Sequence, residues 1–412
     1  MQSCRDKSKL FLVDGGDCFD YGTLLNRLNS SSDYKPLFRA NCLFDYFTNL
    51  LIALTSNNSL VLIDSDMSEQ EIEGLSVGKV GESVKVKKKV FLSVEELLEA
   101  VRLSESKITI FTSGTTGQPK KVVHTVSSLT RSVRCDVRYK EQIWLFAYNP
   151  THMAGLQVFF QAFTNQNVLI NAFNSTRSLI FEAIREYKVT HISATPTFYR
   201  LLLPIDQSFD SVQRITLGGE RSESKLYESI LKMFPNAKLN NIYASTEAGS
   251  LFAAKGENFQ IPVSIIDKCK IIDGELLIHR SLLGQSDSFS YKNDFYCTGD
   301  LVEWINQSER LFRFVSRKNE LINVGGYKVN PGEVEDIIIQ IPDVEQVIVM
   351  GKSNSVLGNI LCAEVKKKSE SSLTEMDIRK YLLGKLQDFK IPRKIKFVED
   401  FTLTRTGKLK RS

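Results

Sequence analysis

An apolar run that ends in a loop of glycines and hydroxyls constrains this 412-residue chain more than any other feature. Residues 108–111 read I-T-I-F, and residues 112–120 then read T-S-G-T-T-G-Q-P-K. Glycines let a ligand approach the backbone closely, while hydroxyls, free N–H groups and a lysine suit phosphate oxygens. The pattern predicts a strand followed by a polyphosphate-binding loop, with an ordinary Ser/Thr/Gly surface turn as the alternative. It is not a Walker A loop, because G-x-x-x-x-G-K-[ST] does not occur.

Helical and strand patterns alternate through the first three quarters of the chain. Ser93-Val94-Glu95-Glu96 predicts a capping box that opens a helix to about residue 103. Residues 178–187 have helical spacing, and strands are expected at 189–193 and 214–217. This alternation predicts a large α/β N-terminal domain, residues 1–317, with largely parallel sheets.

The pattern changes near residue 317. Asn330 before Pro331 is typical of a helix start, and a helix is expected to about residue 339. A strand at 344–350, a helix at about 375–387 and a strand at 395–398 follow. We therefore predict a small C-terminal α+β domain, residues 318–412.

Composition and charge favour a globular protein without nucleic-acid binding. Charged residues make up 25% of the chain and the net charge is +5, a mild balance that suits anionic ligands. Seven dispersed cysteines without a CxxC pair argue for a reduced compartment and against a disulfide framework or a zinc site. The first residues lack the apolar core of a signal peptide, and no window is apolar enough to span a membrane. We expect a cytoplasmic protein.

Two polar segments follow glycine turns or strand ends and carry groups suited to a nucleotide. In residues 241–247, Tyr243 offers a flat face, Thr246 a hydroxyl and Glu247 a hard oxygen ligand for Mg²⁺, although such residues are commonly structural. In residues 296–300, Asp300 is placed to accept from sugar hydroxyls, or it caps its own turn.

Two further segments contain glycine turns near the end of the chain. Residues 317–329 join a charged stretch to a Gly-Gly loop, and a linker with a tight turn would look the same. Lys408 follows a glycine turn at 404–408, where a solvated tail lysine is the default interpretation.

Taken together, the motifs resemble the acyl-adenylate-forming superfamily, which includes acyl- and aryl-CoA ligases, adenylation domains of peptide synthetases and firefly-type luciferases. The small size is similar to that of o-succinylbenzoate–CoA ligases. The region before residue 112 is shorter than in typical members. In chain order the motifs are the loop at 112–120, Y-x-x-T-E at 243–247, Y-x-T-G-D at 296–300, R-x-N-x-L-I-x-x-G-G-Y at 317–327, P-x-E-V-E at 331–335 and T-R-T-G-K at 404–408.

The resemblance implies an ATP site assembled from separate segments. It assigns the β- and γ-phosphates to Thr112, Ser113, Gly114, Thr115, Thr116, Gly117 and Lys120. It assigns adenine to a slot formed by Gly218, Gly219, Glu220, Asn241, Ile242 and Tyr243, and the ribose to Asp300 and Arg317.

The resemblance also implies catalytic roles. Thr246 would contact the α-phosphate, Glu247 would bind Mg²⁺, and Lys408 would bridge the carboxylate and the α-phosphate while the adenylate forms. His152 would close the acid pocket, although a hydrogen-bonded loop histidine is the interpretation without the resemblance. Gly325 and Gly326 would line the thiol channel after the small domain rotates.

Two positions depart from the family pattern. Asn319 stands at the hinge position, which is usually Asp or Lys, so the rate of domain rotation is expected to change. Ala244 replaces the commoner glycine and would narrow the floor of the acid pocket by a methyl group.

The sequence thus predicts an ATP-dependent acid–thiol ligase that forms acyl-AMP and then a thioester of CoA. An acyl-AMP ligase that loads the phosphopantetheine of a carrier protein is the nearest alternative. A nucleotide-binding module without ligase activity is the alternative from another class.

Overall fold

The computed structural model describes residues 10–39, 42–112, 120–220, 222, 224–255, 258–324, 327–354, 358–404 and 409. Its α-helices within these ranges are α1 (Tyr21–Ser30), α2 (Leu43–Thr55), α3 (Glu69–Gly74), α4 (Val94–Arg102), α5 (Val126–Thr130), α6 (Met153–Thr164), α7 (Arg177–Tyr187), α8 (Pro196–Leu201), α9 (Ser224–Met233), α10 (Pro331–Ile338) and α11 (Glu375–Leu382).

The β-strands within the same ranges are β1 (Leu10–Asp14), β2 (Asp17–Asp20), β3 (Asp33–Tyr34), β4 (Leu37–Phe38), β5 (Leu60–Leu62), β6 (Val84–Lys85), β7 (Lys107–Thr112), β8 (Lys120–Thr125), β9 (Ile143–Phe146), β10 (Val168–Asn171), β11 (His191–Ala194), β12 (Arg214–Gly218), β13 (Lys238–Ser245), β14 (Gly249–Lys255), β15 (Asn258–Gln260), β16 (Cys269–Ile272), β17 (Glu275–His279), β18 (Tyr291–Lys292), β19 (Phe295–Asn306), β20 (Leu311–Arg317), β21 (Ile322–Val324), β22 (Tyr327–Val329), β23 (Val344–Asn354), β24 (Gly358–Lys367) and β25 (Lys394–Phe397).

The chain divides into two compact units. The first contains the chain up to Cys269 together with Ile278–Tyr296, and the second contains Lys270–Leu277 and Cys297–Thr404. A boundary between residues 317 and 318 for a separate small domain stays a prediction.

The main sheet of the first unit has the strand order β15-β14-β13-β12-β11-β9-β10-β1-β2. Neighbouring strands from β13 to β1 are all parallel, while β14, β15 and β2 are antiparallel to their neighbours. Helices α6 to α9 connect the successive strands from β9 to β13, and β9 and β10 are near-continuous apolar runs. Such runs are typical of parallel strands buried on both faces, so the predicted α/β architecture with largely parallel sheets is confirmed.

A smaller sheet in the same unit, β4-β5-β7-β8, leads to the predicted phosphate loop. Its first three strands are parallel, and β8 runs antiparallel to β7. Beside these strands, α2 and α6 share an aromatic core in which Phe47 stacks on Phe159 at 4.2 Å and Phe159 stacks on Phe163 at 5.2 Å. This core holds α6 in place, and α6 begins directly after His152.

The second unit is α+β, as predicted. Its sheet has the order β22-β21-β24-β23, and β25 adds to β24 in parallel. Helices α10 and α11 pack on this sheet through a buried core that includes Val334, Ile338, Val365 and Ile378. Asn330 begins α10 as expected, with its Oδ1 accepting from the Gly332 amide at 3.0 Å.

Two local predictions about helix ends are wrong. The helix predicted at 375–387 ends at Leu382, because Leu383 is extended and Gly384 has a φ of +81° that ends helical geometry. The capping box at Ser93 is half formed: Ser93 Oγ accepts from the Glu96 amide at 3.2 Å, but the Glu96 carboxylate accepts from Leu92 N instead of Ser93 N.

The cysteines follow the expectation only in part. Cys18 is disulfide-bonded, whereas the sequence led us to expect cysteines in a reduced compartment. The free cysteines among the described residues are Cys42, Cys135, Cys269, Cys297 and Cys362. Among the described residues, no helix is long and apolar enough to cross a membrane.

Candidate active site

Most of the predicted phosphate loop lies outside the described residues. This applies to Ser113, Gly114, Thr115, Thr116 and Gly117, and to the side chain of Thr112. The flanks are described: Thr112 pairs with Lys120 in antiparallel register at the ends of β7 and β8. The strand predicted before the loop is therefore confirmed, and the phosphate contacts stay predictions.

The two segments predicted to bind adenine lie side by side at the carboxyl ends of β12 and β13. Gly218 is the register partner of Ile242, and a Cβ on Gly218 would lie 3.0 Å from Ile242 Cγ1. Gly219 has a φ of +82°, which turns the chain at the end of β12. Glu220 then accepts from the Thr197 amide at 2.9 Å. The carboxyl ends of parallel strands are where ligands bind in open α/β sheets, so the placement agrees with a binding crevice.

Tyr243 and Asn241 are both held by aromatic neighbours. The Tyr243 ring stacks on Phe252 of β14, with centroids 5.4 Å apart and an interplanar angle of 22°. Asn241 is buried, and its Nδ2 donates to the Tyr227 hydroxyl at 3.0 Å. These contacts orient the last residues of β13 before the polar turn that follows.

Thr246 and Glu247 lie in the turn between β13 and β14. Within the described residues neither side chain has a protein hydrogen-bond or ion-pair partner, and both residues are partly buried. The described residues also contain no group of three or more His, Cys, Asp and Glu side chains that could hold a metal ion. The Glu247 carboxylate is a hard oxygen group of the kind that suits Mg²⁺, which usually takes one or two carboxylates and completes its shell with water and phosphate oxygens.

His124 contacts this turn and was missed in the sequence analysis. Its Nε2 lies 2.8 Å from the Thr246 carbonyl oxygen, and its Nδ1 lies 3.0 Å from Ser128 Oγ. Burial lowers the pKa of His124 to about 4, against the raising effect of the Thr246 carbonyl and with a smaller lowering effect of Arg131. The available signal was strand alternation, which places His124 on the same face of β8 as the buried Val122.

His152 pairs with a carboxylate that the sequence analysis did not connect to it. Nε2 of His152 lies 3.2 Å from Oδ1 of Asp64 and 3.3 Å from Oδ2. Asn149 Nδ2 donates to Asp64 at 3.0 Å, and the Thr151 hydroxyl also donates to it. Burial raises the pKa of Asp64, but the hydrogen bonds and charge of His152 and the bonds from Thr151 and Asn149 outweigh burial, so the pKa is lowered overall. His152 is thus an oriented side chain at the start of α6.

In the second unit, the predicted ribose residues form an ion pair. Nε of Arg317 lies 2.6 Å from Oδ1 of Asp300, and the two residues are register partners in β19 and β20. Behind them, the buried Glu275 accepts from the Gly299 amide at 2.9 Å and from Lys318 Nζ at 2.6 Å. The Asp300–Arg317 ion pair and the neighbouring Glu275–Lys318 pair therefore lie together within the second unit. Gly325, Gly326 and Lys408 lie outside the described residues, so their roles stay predictions.

Comparison with known families identifies the family of the chain. The AMP-binding enzyme family matches residues 53–270, more than half of the chain, and the C-terminal domain of AMP-binding enzymes matches residues 333–408. The chain therefore belongs to the AMP-binding enzyme family.

Individual relatives and solved structures show the range of similarity. Mitochondrial acyl-coenzyme A synthetase ACSM4 from Homo sapiens is 26% identical over 75% of this chain and 60% of its own length. The 2-succinylbenzoate–CoA ligase of Staphylococcus aureus (strain bovine RF122 / ET3-1) is 26% identical over 74% of this chain and 65% of its own length. The crystal structure of ATP-bound MatB from Rhodopseudomonas palustris covers 99% of this chain and 95% of its own, with a TM-score of 0.75 and 16% identity, which establishes the adenylate-forming fold. The chain spans less than two thirds of the length of these two sequence relatives.

Proposed function

We propose that this protein is an ATP-dependent acid–CoA ligase. A carboxylic acid would react with ATP to give acyl-AMP and pyrophosphate, and the thiol of CoA would then displace AMP to give a thioester. Family membership and the names of the two sequence relatives, a synthetase of acyl-coenzyme A and a ligase of 2-succinylbenzoate with CoA, support the proposal.

The observation that carries the proposal is the turn at Thr246 and Glu247. A hydroxyl and a carboxylate are presented without partners among the described residues, directly after the strand that bears Asn241 and Tyr243. Both residues are only partly buried, so solvent or a ligand can reach their polar atoms. These two are available for a ligand.

The first half-reaction joins two anions, so catalysis depends on charge neutralisation and positioning. The acid oxygen attacks the α-phosphorus, a P–O bond forms, and the bond to pyrophosphate breaks. Lys120 and Lys408 would neutralise charge, and Thr246 would donate to the α-phosphate. Pyrophosphate would leave into the segment 112–120.

Glu247 fits a magnesium ion as one hard oxygen ligand, and we propose it as the residue that holds the ion. The ion would supply charge neutralisation at the phosphate oxygens. Asp300 would accept from the ribose hydroxyls, held in place by Arg317.

The second half-reaction has no need of Lys408, because the acyl carbonyl is already activated. We propose that residues 318–412 act as the small mobile domain, with Asn319 as the hinge position, so that Gly325 and Gly326 serve the thiol while Lys408 is withdrawn. His152 would contact the acid, and Ala244 would favour a slim one. A cytoplasmic location stays a prediction.

ATP–pyrophosphate exchange over a panel of acids tests the proposal. The panel should contain 2-succinylbenzoate, medium-chain fatty acids, short aliphatic acids and aryl acids. We expect magnesium-dependent exchange with at least one acid and its loss in Glu247→Gln. Exchange with no acid would favour a nucleotide-binding module without ligase activity.

The acceptor is tested in a second assay with the acid so identified. CoA and a phosphopantetheine-bearing carrier protein are supplied separately, and the thioester is measured by mass spectrometry. We expect a CoA thioester with release of AMP. Transfer to the carrier alone would replace CoA with the carrier protein as the partner.

A further inference from the structure

Three consecutive backbone carbonyls of the Thr246–Glu247 turn, which lies between β13 and β14, are each held by a different donor. The Thr246 oxygen lies 2.8 Å from Nε2 of His124, the Glu247 oxygen accepts from the Gly284 amide at 2.8 Å, and the Ala248 oxygen accepts from Arg131 Nη2 at 2.5 Å. These hydrogen bonds fix the backbone of the turn. The side chains of Thr246 and Glu247 have no partners among the described residues.

Two of the three donors belong to the segment that follows the predicted phosphate loop. His124 is the fifth residue of β8, which begins at Lys120, and Arg131 follows α5 directly. The Val123 amide and carbonyl also exchange hydrogen bonds with Gln285, each at 2.8 Å, which fixes the segment that carries Gly284. Residues 120–131, which follow the predicted phosphate loop, are therefore hydrogen-bonded to the backbone of the Thr246–Glu247 turn.

The chemistry of the His124 contact fixes its tautomer. A carbonyl oxygen only accepts, so Nε2 must carry the proton in the neutral ring. Nδ1 lies 3.0 Å from Ser128 Oγ, whose single proton is shared between Nδ1 and the Thr125 carbonyl oxygen at 2.9 Å. The contact is a single neutral donor inside the protein, with 2% of His124 exposed. Its loss would leave the Thr246 carbonyl unsatisfied.

The space around His124 is reserved for the imidazole. A Cβ on Gly284 would lie 2.6 Å from Cε1 and 2.7 Å from Nε2 of His124, so any larger residue there must displace the ring. Arg131 is similarly constrained, because its Nη1 donates to the Leu282 carbonyl at 3.1 Å while Nη2 holds Ala248.

We propose that His124 and Arg131 are positioning residues that couple the phosphate-loop segment to the Thr246–Glu247 turn. They act on the backbone of the turn and touch neither the acid nor ATP. They set where the Thr246 hydroxyl and the Glu247 carboxylate point, and thereby the affinity for Mg·ATP. This inference rests on the proposed function, since it assigns ATP and Mg²⁺ to the turn.

Calorimetric titration with Mg·ATP, without any acid, tests the inference. His124→Leu keeps a buried side chain of similar size but removes the donor, and we expect Kd for Mg·ATP to rise about tenfold. His124→Gln keeps an N–H that reaches the carbonyl and should stay within about threefold of the wild type. The magnesium concentration for half-maximal binding should rise in His124→Leu and not in His124→Gln.

His191→Leu is the matched control. His191 is also a buried strand histidine, packed on Trp144 with ring centroids 4.8 Å apart, so its loss reports the general cost of replacing such a residue. It should leave the Kd for Mg·ATP within about twofold. Should His124→Leu not fold, Gly284→Ala displaces the same ring while keeping its chemistry and the Gly284 amide, and it should weaken Mg·ATP in the same way.

The outcomes distinguish failure of the proposed function from failure of the positioning role of His124. A wild-type protein that binds no Mg·ATP would remove the proposed function and this inference together. A wild-type protein that binds Mg·ATP, with His124→Leu or the substitute Gly284→Ala at wild-type affinity, would overturn the inference alone. His124→Gln as weak as His124→Leu would also overturn it, because ring volume and not the donor would then matter.

Discussion

Asp64 accepts from the His152 ring at 3.2 Å, and both side chains are almost buried, with 11% and 16% of their surfaces exposed. The Asp64 carboxylate also accepts from Asn149 and Thr151. One carboxylate therefore holds three side chains of the turn before α6. Asp64→Asn removes the charge and one acceptor, and we expect the free energy of unfolding to fall by about 2 kcal/mol, since donors are left unsatisfied. Urea unfolding followed by far-UV circular dichroism measures the change.

The exposed Asp210 offers a control of the same chemistry. Asp210→Asn should change the free energy of unfolding by less than about 0.5 kcal/mol, as surface substitutions usually do. Equal losses in the two variants would show that the Asp64 network does not stabilise the fold.

The sequence predicted those structural features that depend on residues close together in the chain. The strand before Thr112, the cap at Asn330 and the strands that end at Gly218 and Ser245 depend on local propensity and hydrogen bonding, and all are present. The pairings of Asp64 with His152 and of His124 with Thr246 span 88 and 122 residues, and no local pattern records which distant side chain fills a buried hydrogen bond. The sequence therefore indicated the local structure around the candidate site, but not the distant residues that hydrogen-bond to it.

The two buried histidines predict a loss of stability in mild acid. Burial lowers the pKa of His124 and of His191 to about 4, with smaller contributions from Arg131 and Arg214, respectively. Above about pH 7.5, one unit over the ordinary histidine pKa, neither the folded nor the unfolded chain protonates these rings appreciably, so they contribute no pH dependence. Between about pH 7.5 and pH 4 the unfolded chain binds protons that the folded chain does not, so the free energy of unfolding falls as pH falls. The loss is on the order of 3 kcal/mol for each histidine at pH 4.

Urea unfolding between pH 7 and pH 4 measures this dependence. His191→Leu should remove about half of the contribution of the two buried histidines to the slope, because His124 alone of the two remains. A slope equal to that of the wild type would show that folding does not lower the pKa of His191.

Glu275 and Lys318 predict a measurable coupling energy. Glu275 is 3% exposed. Its carboxylate accepts from the Gly299 amide and from Nζ of Lys318, which is its charged partner. Lys318→Met removes this cation from a buried carboxylate and should cost about 2 kcal/mol, while Glu275→Gln should cost about 1 kcal/mol. The double variant should cost less than the sum, with a coupling of about 1 kcal/mol, because the Lys318 side chain is half exposed and water screens the pair.

The pair of Lys366 and Asp400, whose carboxylate is 83% exposed, is the comparison for this cycle. The same cycle there should give a coupling below about 0.5 kcal/mol, as expected for a surface ion pair. A coupling at Glu275 no larger than this would show that its burial adds nothing to the interaction.

Two helical glycines predict opposite responses to alanine. A Cβ on Gly155 would lie 2.2 Å from the Asn149 carbonyl oxygen, so Gly155→Ala must push α6 away from the turn that holds His152. We expect a loss of about 3 kcal/mol, the upper range for overpacking. In α1, a Cβ on Gly22 would lie 3.4 Å from the Asp20 carboxylate, and Gly22→Ala should be neutral or stabilise by about 0.5 kcal/mol. Thermal unfolding of both variants measures the contrast, and a similar melting temperature for the two would contradict it.

The two half-reactions predict a crossed pattern for Lys408 and Gly325. Lys408→Ala should lower adenylation by about 10² to 10³, the scale of one lost charge-stabilising donor, while thioester formation from supplied acyl-AMP stays near that of the wild type. Gly325→Leu should do the reverse, because a side chain at that position would obstruct the thiol. Pyrophosphate exchange reports the first half-reaction, and thioester formation from synthetic acyl-AMP reports the second. Equal loss of both half-reactions in Lys408→Ala would argue against the use of separate faces of a mobile domain, and normal thioester formation in Gly325→Leu would remove Gly325 from the thiol channel.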